Sequence, residues 1–206
     1  MSFSTPDMSS DSIERSTRIL TIPNILSLLR LFCIPLILLF MWERDLHWAL
    51  ILFVAAGVSD ALDGALARLL KQKTVFGMYL DPAADKLLLS SSFLVLALTG
   101  EVSWLVAGFV LGRDVVLVAG VVVLVLTTQT RRFPPSVLGK ANTVVQVAAV
   151  FVLLLDEVYA YRWLHLLRLS LLGLTPLLAA LSGTQYVYRG IDIFRRRRLS
   201  QSECGV

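Results

Sequence analysis

Four aspartates stand in two closely spaced pairs within a mostly apolar stretch: Asp60 and Asp63, then Asp81 and Asp85. The first pair is three residues apart and the second four, so on helices each pair shares one face. An ionised carboxylate at membrane depth costs a few kcal/mol on insertion scales, and packing four together adds mutual repulsion. Something positive must compensate. Structural ion pairs with Arg68, Lys86 or Arg113 are one solution. Four acids at paired spacing exceed what such pairing needs, and hard divalent cations suit converging carboxylate oxygens better. Two such ions would clamp a pyrophosphate, stabilise charge on a phosphorus in transfer and hold the leaving phosphate.

Small residues surround the acids. Gly64, Ala65 and Ala67 remove bulk one turn away. That admits either close helix packing or close approach of a flat ligand. Pro82 follows Asp81 at the expected start of a helix, where a missing N–H is harmless.

The elements that must carry these residues are long and apolar. The chain has 206 residues, 56% hydrophobic and 17% charged, with mean hydropathy +0.75. A soluble domain is nearer half apolar and a quarter charged, and a chain this short has too little interior to hide the excess. A spanning helix needs about 20 mostly apolar residues. Six candidates run roughly Ile25–Trp42, His47–Leu70, Asp81–Thr99, Val102–Thr128, Leu138–Leu155 and Leu167–Ile191. The links carry breakers or charges: 43–45, Lys71–Gly77, Gly100-Glu101, 131–135 and 156–162. β-barrel strands would be shorter and alternating. The expectation is an all-α integral membrane protein of six transmembrane helices, one compact domain over 21–194. A flexible polar leader (1–20) precedes it and a basic cytosolic tail (195–206) follows.

Orientation follows from the basic residues. One side receives Arg15, Arg18, Lys71, Lys73, Arg131, Arg132 and Arg195 to Arg198; the other receives Arg44 and Arg162, ten against two. Both termini and the acid-bearing end of the bundle are therefore expected on the cytosolic face. The net charge of +4 sits at span ends and in the tail, which favours acidic lipid headgroups over nucleic acid. The Arg195–Arg198 run reads as a topological anchor or a headgroup contact, and His47, His165 and the four Trp near span ends as interfacial anchors. The first twenty residues lack the apolar core and small-residue cleavage site of a signal peptide. They suggest at most an interfacial helix near Ile19–Ile25. Cys33 and Cys204 suggest neither a disulfide nor a metal framework.

The stretch Asp60-x2-Asp63-Gly64-x2-Ala67-Arg68-x8-Gly77-x3-Asp81-x3-Asp85 resembles the signature of the CDP-alcohol phosphatidyltransferases at all eight fixed positions. Chance agreement is on the order of 10⁻¹⁰ per start site from ordinary residue frequencies. The resemblance covers about Ile22 to Tyr188. It implies six helices with the active site near the cytosolic face. It implies that Asp60, Asp63, Asp81 and Asp85 hold two divalent ions, Mg2+ or Mn2+. Asp85 would also take the proton from the attacking alcohol. Gly64, Ala67, Arg68 and Gly77 would hold the CDP moiety. The donor would be CDP-diacylglycerol and the by-product CMP. A bacterial inner membrane is the expected location, and a homodimer is left open.

Two further cations bear on the acceptor. Arg113 lies in Leu111-Gly112-Arg113-Asp114, and Lys140 opens Lys140-Ala141-Asn142-Thr143-Val144-Val145-Gln146. They either neutralise nearby acids, with Asp114 a ready partner for Arg113, or bind an acceptor phosphate, Arg as a fork and Lys as a point charge. The resemblance favours the phosphate pocket. The opening Ile22-Pro23-Asn24-Ile25-Leu26-Ser27-Leu28-Leu29-Arg30, with Pro35, resembles the glycerol-lipid branch. That branch contains phosphatidylglycerophosphate synthases, which use glycerol 3-phosphate, and CMP-forming cardiolipin synthases, which use phosphatidylglycerol. The first is the leading expectation, although Asp114 and Asn142 lean toward the second. An ion-coupled transporter is the competing class, since intramembrane acids also mark ion paths; it would favour inverted halves and broken helices, which the sequence does not display.

Overall fold

The computed structural model describes the backbone of residues 22–69, 75–128 and 137–203, and side chains over 29–62, 84–120 and 137–188. The leader, and with it Arg15 and Arg18, lies outside the described residues, as do Lys71, Lys73, Arg131 and Arg132.

Every regular element among the described residues is an α-helix, and there are six: α1 (Ile22–Trp42), α2 (Leu46–Leu69), α3 (Val75–Leu98), α4 (Trp104–Thr128), α5 (Val137–Tyr159) and α6 (Arg162–Glu203). Two stretches among the described residues are long and apolar enough to cross a membrane, Val137–Tyr159 and Arg162–Tyr188; Leu29–Trp42 and Leu46–Leu62 are apolar but shorter.

Several helix boundaries differ from the sequence expectation. Helix α3 begins at Val75, so Val75, Phe76 and Gly77 are its first turn and not part of the preceding link. Pro82 therefore lies inside α3 and not at its start. It cannot donate to the carbonyl of Met78. Residues 22–25 open α1 itself and do not form a separate interfacial helix. Helix α6 begins at Arg162 and continues through Arg195–Arg198 to Glu203. At 1.5 Å per residue it is about 63 Å long, twice the hydrocarbon thickness.

Three helix ends close with residues of positive φ: Arg44 (62°), Gly100 (83°) and Ala160 (51°). At the end of α3 the Glu101 N–H reaches the Leu96 carbonyl at 2.9 Å and the Gly100 N–H reaches Ala97 at 3.2 Å, a Schellman cap. The end of α1 repeats it, with Asp45 N–H on Phe40 at 2.9 Å and Arg44 N–H on Met41 at 3.3 Å. Glycine adopts this φ without penalty; Arg44 does so against a steric cost of roughly 1–2 kcal/mol.

The chain forms two compact units, Met1–Leu88 and Leu89–Val206, with the boundary inside α3. In the first, α1 packs on α2. Ile34, Ile37 and Met41 form the buried stripe of α1, and Ala49, Leu50, Phe53 and Ala56 that of α2. These are helical spacings, the pattern of an apolar face turned inward. In the second unit, α4 and α5 each pack on α6. Large apolar side chains also face outward on every helix, among them Phe32, Trp48, Leu94, Leu105, Val144 and Leu177.

A polar cluster ties the second unit together at one end. Arg168 on α6 donates to the Glu101 carbonyl at 3.0 Å and its carboxylate at 3.3 Å, to Asp156 at 3.4 Å, and to Glu157. His165 lies 3.1 Å from Asp156. Asp156 is almost fully buried, so removing Arg168 would strip a buried carboxylate of an ionic partner, the costly way to break a buried pair.

Candidate active site

Asp60 lies on α2 and Asp85 on α3, twenty-five positions apart in the sequence. The fold brings both to a single atom. Nη1 of Arg30, on α1, stands 2.7 Å from Oδ1 of Asp60 and 3.2 Å from Oδ1 of Asp85. The Arg30 side chain is 1% exposed, against 44% for Asp60 and 46% for Asp85. The guanidinium therefore approaches from inside the packed helices, while both carboxylates keep an open side. Ala84, fully buried beside Asp85, leaves room for close packing at this level of α3.

The other signature residues occupy the backbone positions that the spacing requires. Asp63 follows Asp60 by three residues on α2, and Asp81 precedes Asp85 by four on α3, so each pair shares a helical face. The side chains of Asp63 and Asp81, and those of Arg68 and Ala67, lie outside the described residues; Gly64 and Gly77 are placed by backbone only.

Carboxylate oxygens are the ligand type that a hard divalent ion takes, and among the described residues two of them meet here, short of a group of three. Two carboxylates from different helices converge on one cationic nitrogen, the disposition that oxygen ligands take around a metal. Each is half exposed, so solvent and a phosphate can reach it. A carboxylate has two oxygens and several lone-pair directions, so it can accept from more than one partner.

Arg113 is buried on α4, with Nη1 2.8 Å from Oδ1 of Asp114 and Nε 3.3 Å from the Ser182 hydroxyl on α6. Asp114 also accepts a 2.7 Å bond from Ser90. The neutralising partner weighed from the sequence is thus real. Arg113 also lines a cavity of about 540 Å³ between α4 and α6, together with Gly108, Gly112, Gly183, Thr184 and Tyr188. A guanidinium has five N–H donors, so Asp114 and Ser182 leave it capacity for a ligand.

Lys140 is exposed on α5, whereas Asn142 and Gln146 are fully buried. Helical geometry explains this, since two residues on is about 200° around the axis. The block read as one acceptor feature therefore presents two opposite faces. The carboxamides of Asn142 and Gln146 have no hydrogen-bond partner among the described residues.

The sequence marks Arg30 only as part of the opening motif and not as a site residue. The signal was present: an arginine inside an apolar run is costly unless it meets an acid.

The sequence model of the CDP-alcohol phosphatidyltransferases matches residues 20–175. The chain belongs to that family. A Mycobacterium tuberculosis (strain ATCC 25618 / H37Rv) protein named "Probable phosphatidylglycerophosphate synthase" is 35% identical over 190 residues, covering 87% of this chain and 86% of that one. The CDP-diacylglycerol–glycerol-3-phosphate 3-phosphatidyltransferase of Aquifex aeolicus is 33% identical over 178 residues, 84% of this chain and 98% of that one. The CMP-forming cardiolipin synthase of Rattus norvegicus is 33% identical over 157 residues, 68% of this chain and 52% of that one. The family match spans α1 to α5 and the start of α6, and so contains Arg30, all four aspartates, Arg113 and Lys140.

Proposed function

We propose that this CDP-alcohol phosphatidyltransferase moves the phosphatidyl group of CDP-diacylglycerol onto glycerol 3-phosphate and releases CMP. The observation that carries the reading is the convergence of Asp60 and Asp85, from two helices, within the complete family signature. The relatives from Mycobacterium and Aquifex support the acceptor by their names.

In this reading Asp60, Asp63, Asp81 and Asp85 hold two divalent ions, Mg2+ or Mn2+. Bound there, the ions would supply charge neutralisation for the pyrophosphate and its leaving group. Gly64, Ala67, Arg68 and Gly77 line the path of the CDP moiety, where small residues let a flat ligand approach the backbone. Asp85 accepts the proton of the attacking hydroxyl. A carboxylate is a weak base, and a bound ion would assist it by making the alcohol more acidic. Arg113 and Lys140 bind the acceptor phosphate.

CMP-forming cardiolipin synthesis, with phosphatidylglycerol as acceptor, is the second reading. It is favoured by Asp114 and Asn142 and by the cardiolipin synthase relative. Purified protein supplied with CDP-diacylglycerol and Mg2+ is expected to release CMP with glycerol 3-phosphate. Release with phosphatidylglycerol alone would move the assignment to the second reading, and release with neither would remove it from the glycerol-lipid enzymes.

The enzyme works as an integral membrane protein with six spans, both termini and the acidic site on the cytosolic side of a bacterial inner membrane. The outward apolar side chains and the ten-to-two asymmetry of basic residues support this. Single cysteines at 44 and 160 should label from outside intact cells, and one at 74 should not. Outside labelling at 74 would overturn the orientation. In the same reading 1–20 is a leader, 21–194 the catalytic domain and 195–206 a basic cytosolic tail.

A further inference from the structure

We propose that Arg30 is a positioning residue of the carboxylate site, a built-in counter-cation that keeps Asp60 and Asp85 together before any metal is bound. The proposal rests on the metal-site reading above. Three observations carry it. One nitrogen, Nη1, meets an oxygen of each carboxylate, at 2.7 and 3.2 Å, so the contact spans α2 and α3. The guanidinium is 1% exposed and reaches the acids from the buried side, while the acids stay open on the other. Arg30 and its two partners lie on three different helices of one compact unit, so the contact joins all three.

The physical need is plain. Two carboxylates brought this close repel each other, and without a cation between them that repulsion would drive the two helices apart. A single buried charge removes most of that penalty and fixes the approach of α2 to α3. The incoming ions then meet carboxylates already in place. A guanidinium suits this task because it is always charged and carries several N–H donors.

A counter-cation that shares its acids with a metal has a signature that an ordinary salt bridge lacks: the cost of losing it depends on whether metal is present. The test is thermal unfolding of the full chain in detergent, in EDTA and in excess Mg2+, for wild type, Arg30→Met, Arg30→Gln and Arg30→Lys. In EDTA the two neutral variants are expected to unfold on the order of 5 °C below wild type. Mg2+ should recover more than half of that loss, so their metal-induced rise exceeds the wild-type rise. Arg30→Lys, which retains the charge, should stay near wild type in both conditions. Should neither neutral variant fold in EDTA, recovery of monodisperse protein only when Mg2+ is present during solubilisation is the same result. An equal loss with and without Mg2+ would reduce Arg30 to a structural salt bridge and overturn the proposal, as would no loss at all. Failure of the metal reading is distinguishable: wild type itself would then gain nothing from Mg2+, and the proposal would fall with it.

Discussion

Replacing any one of Asp60, Asp63, Asp81 or Asp85 with Asn is expected to lower kcat by at least about a hundredfold, the usual loss for a positioned catalytic group. The change conserves shape and removes the charge, so it tests the charge. Asp85 should be the most severe, because it carries both ligation and proton transfer in the proposed reaction. Asp60 and Asp85 also meet Arg30, so their Asn variants leave a buried guanidinium with one acid fewer. Loss of stability must therefore be separated from loss of turnover by comparing kcat per folded molecule. Chelation gives the same result without mutation: EDTA should abolish CMP release and Mg2+ or Mn2+ should restore it. Near-wild-type activity in EDTA would defeat the two-ion reading of these acids.

The second large effect concerns the acceptor. Arg113→Gln and Lys140→Gln should each raise KM for glycerol 3-phosphate by roughly ten- to a hundredfold, equivalent to losing one charge-assisted phosphate contact of about 1.5–3 kcal/mol. The KM for CDP-diacylglycerol should move much less. Arg113→Lys should also fall short, because an ammonium cannot reproduce the guanidinium fork. The structure sharpens the control. Arg113 pairs with the nearly buried Asp114, so its removal also takes an ionic partner from a buried carboxylate. The double variant Arg113→Gln with Asp114→Asn relieves that strain. If its acceptor KM returns to the wild-type value, Arg113 serves Asp114 and not the substrate. Lys140 carries no such burden, being exposed, so its variant should fold normally and isolate the binding effect.

What could be read before the fold was known follows from local geometry. The 3- and 4-residue spacings of the aspartates place each pair on one helical face wherever the helices lie. The eight fixed signature positions are local in the same sense, so the reaction class needed no tertiary structure. Long apolar runs between charged links marked all six helices, because a helix shows its apolar length directly in the sequence. The ends were less legible. Val75 to Gly77 read as a link because of the basic residues before them, and Pro82 read as a helix start, yet the backbone is helical from Val75. The sixth helix read as ending near Ile191, yet α6 continues in helix through 195–198 to Glu203.

Which side chains meet was decided only by the packing of helices. Arg30 lies thirty residues before Asp60 and fifty-five before Asp85, and no periodicity links residues that far apart. The same holds for Arg113 and Ser182, sixty-nine residues apart, and for Arg168 and Glu101, sixty-seven apart. Lys140 and Asn142 give the converse case. They are near neighbours in sequence that the helix turns to opposite faces, one exposed and one buried. The sequence by itself determined which residues could do chemistry and on which helical face they stand. The tertiary structure decided which charge each one meets, because a buried ion finds its partner only where separate helices bring their faces together.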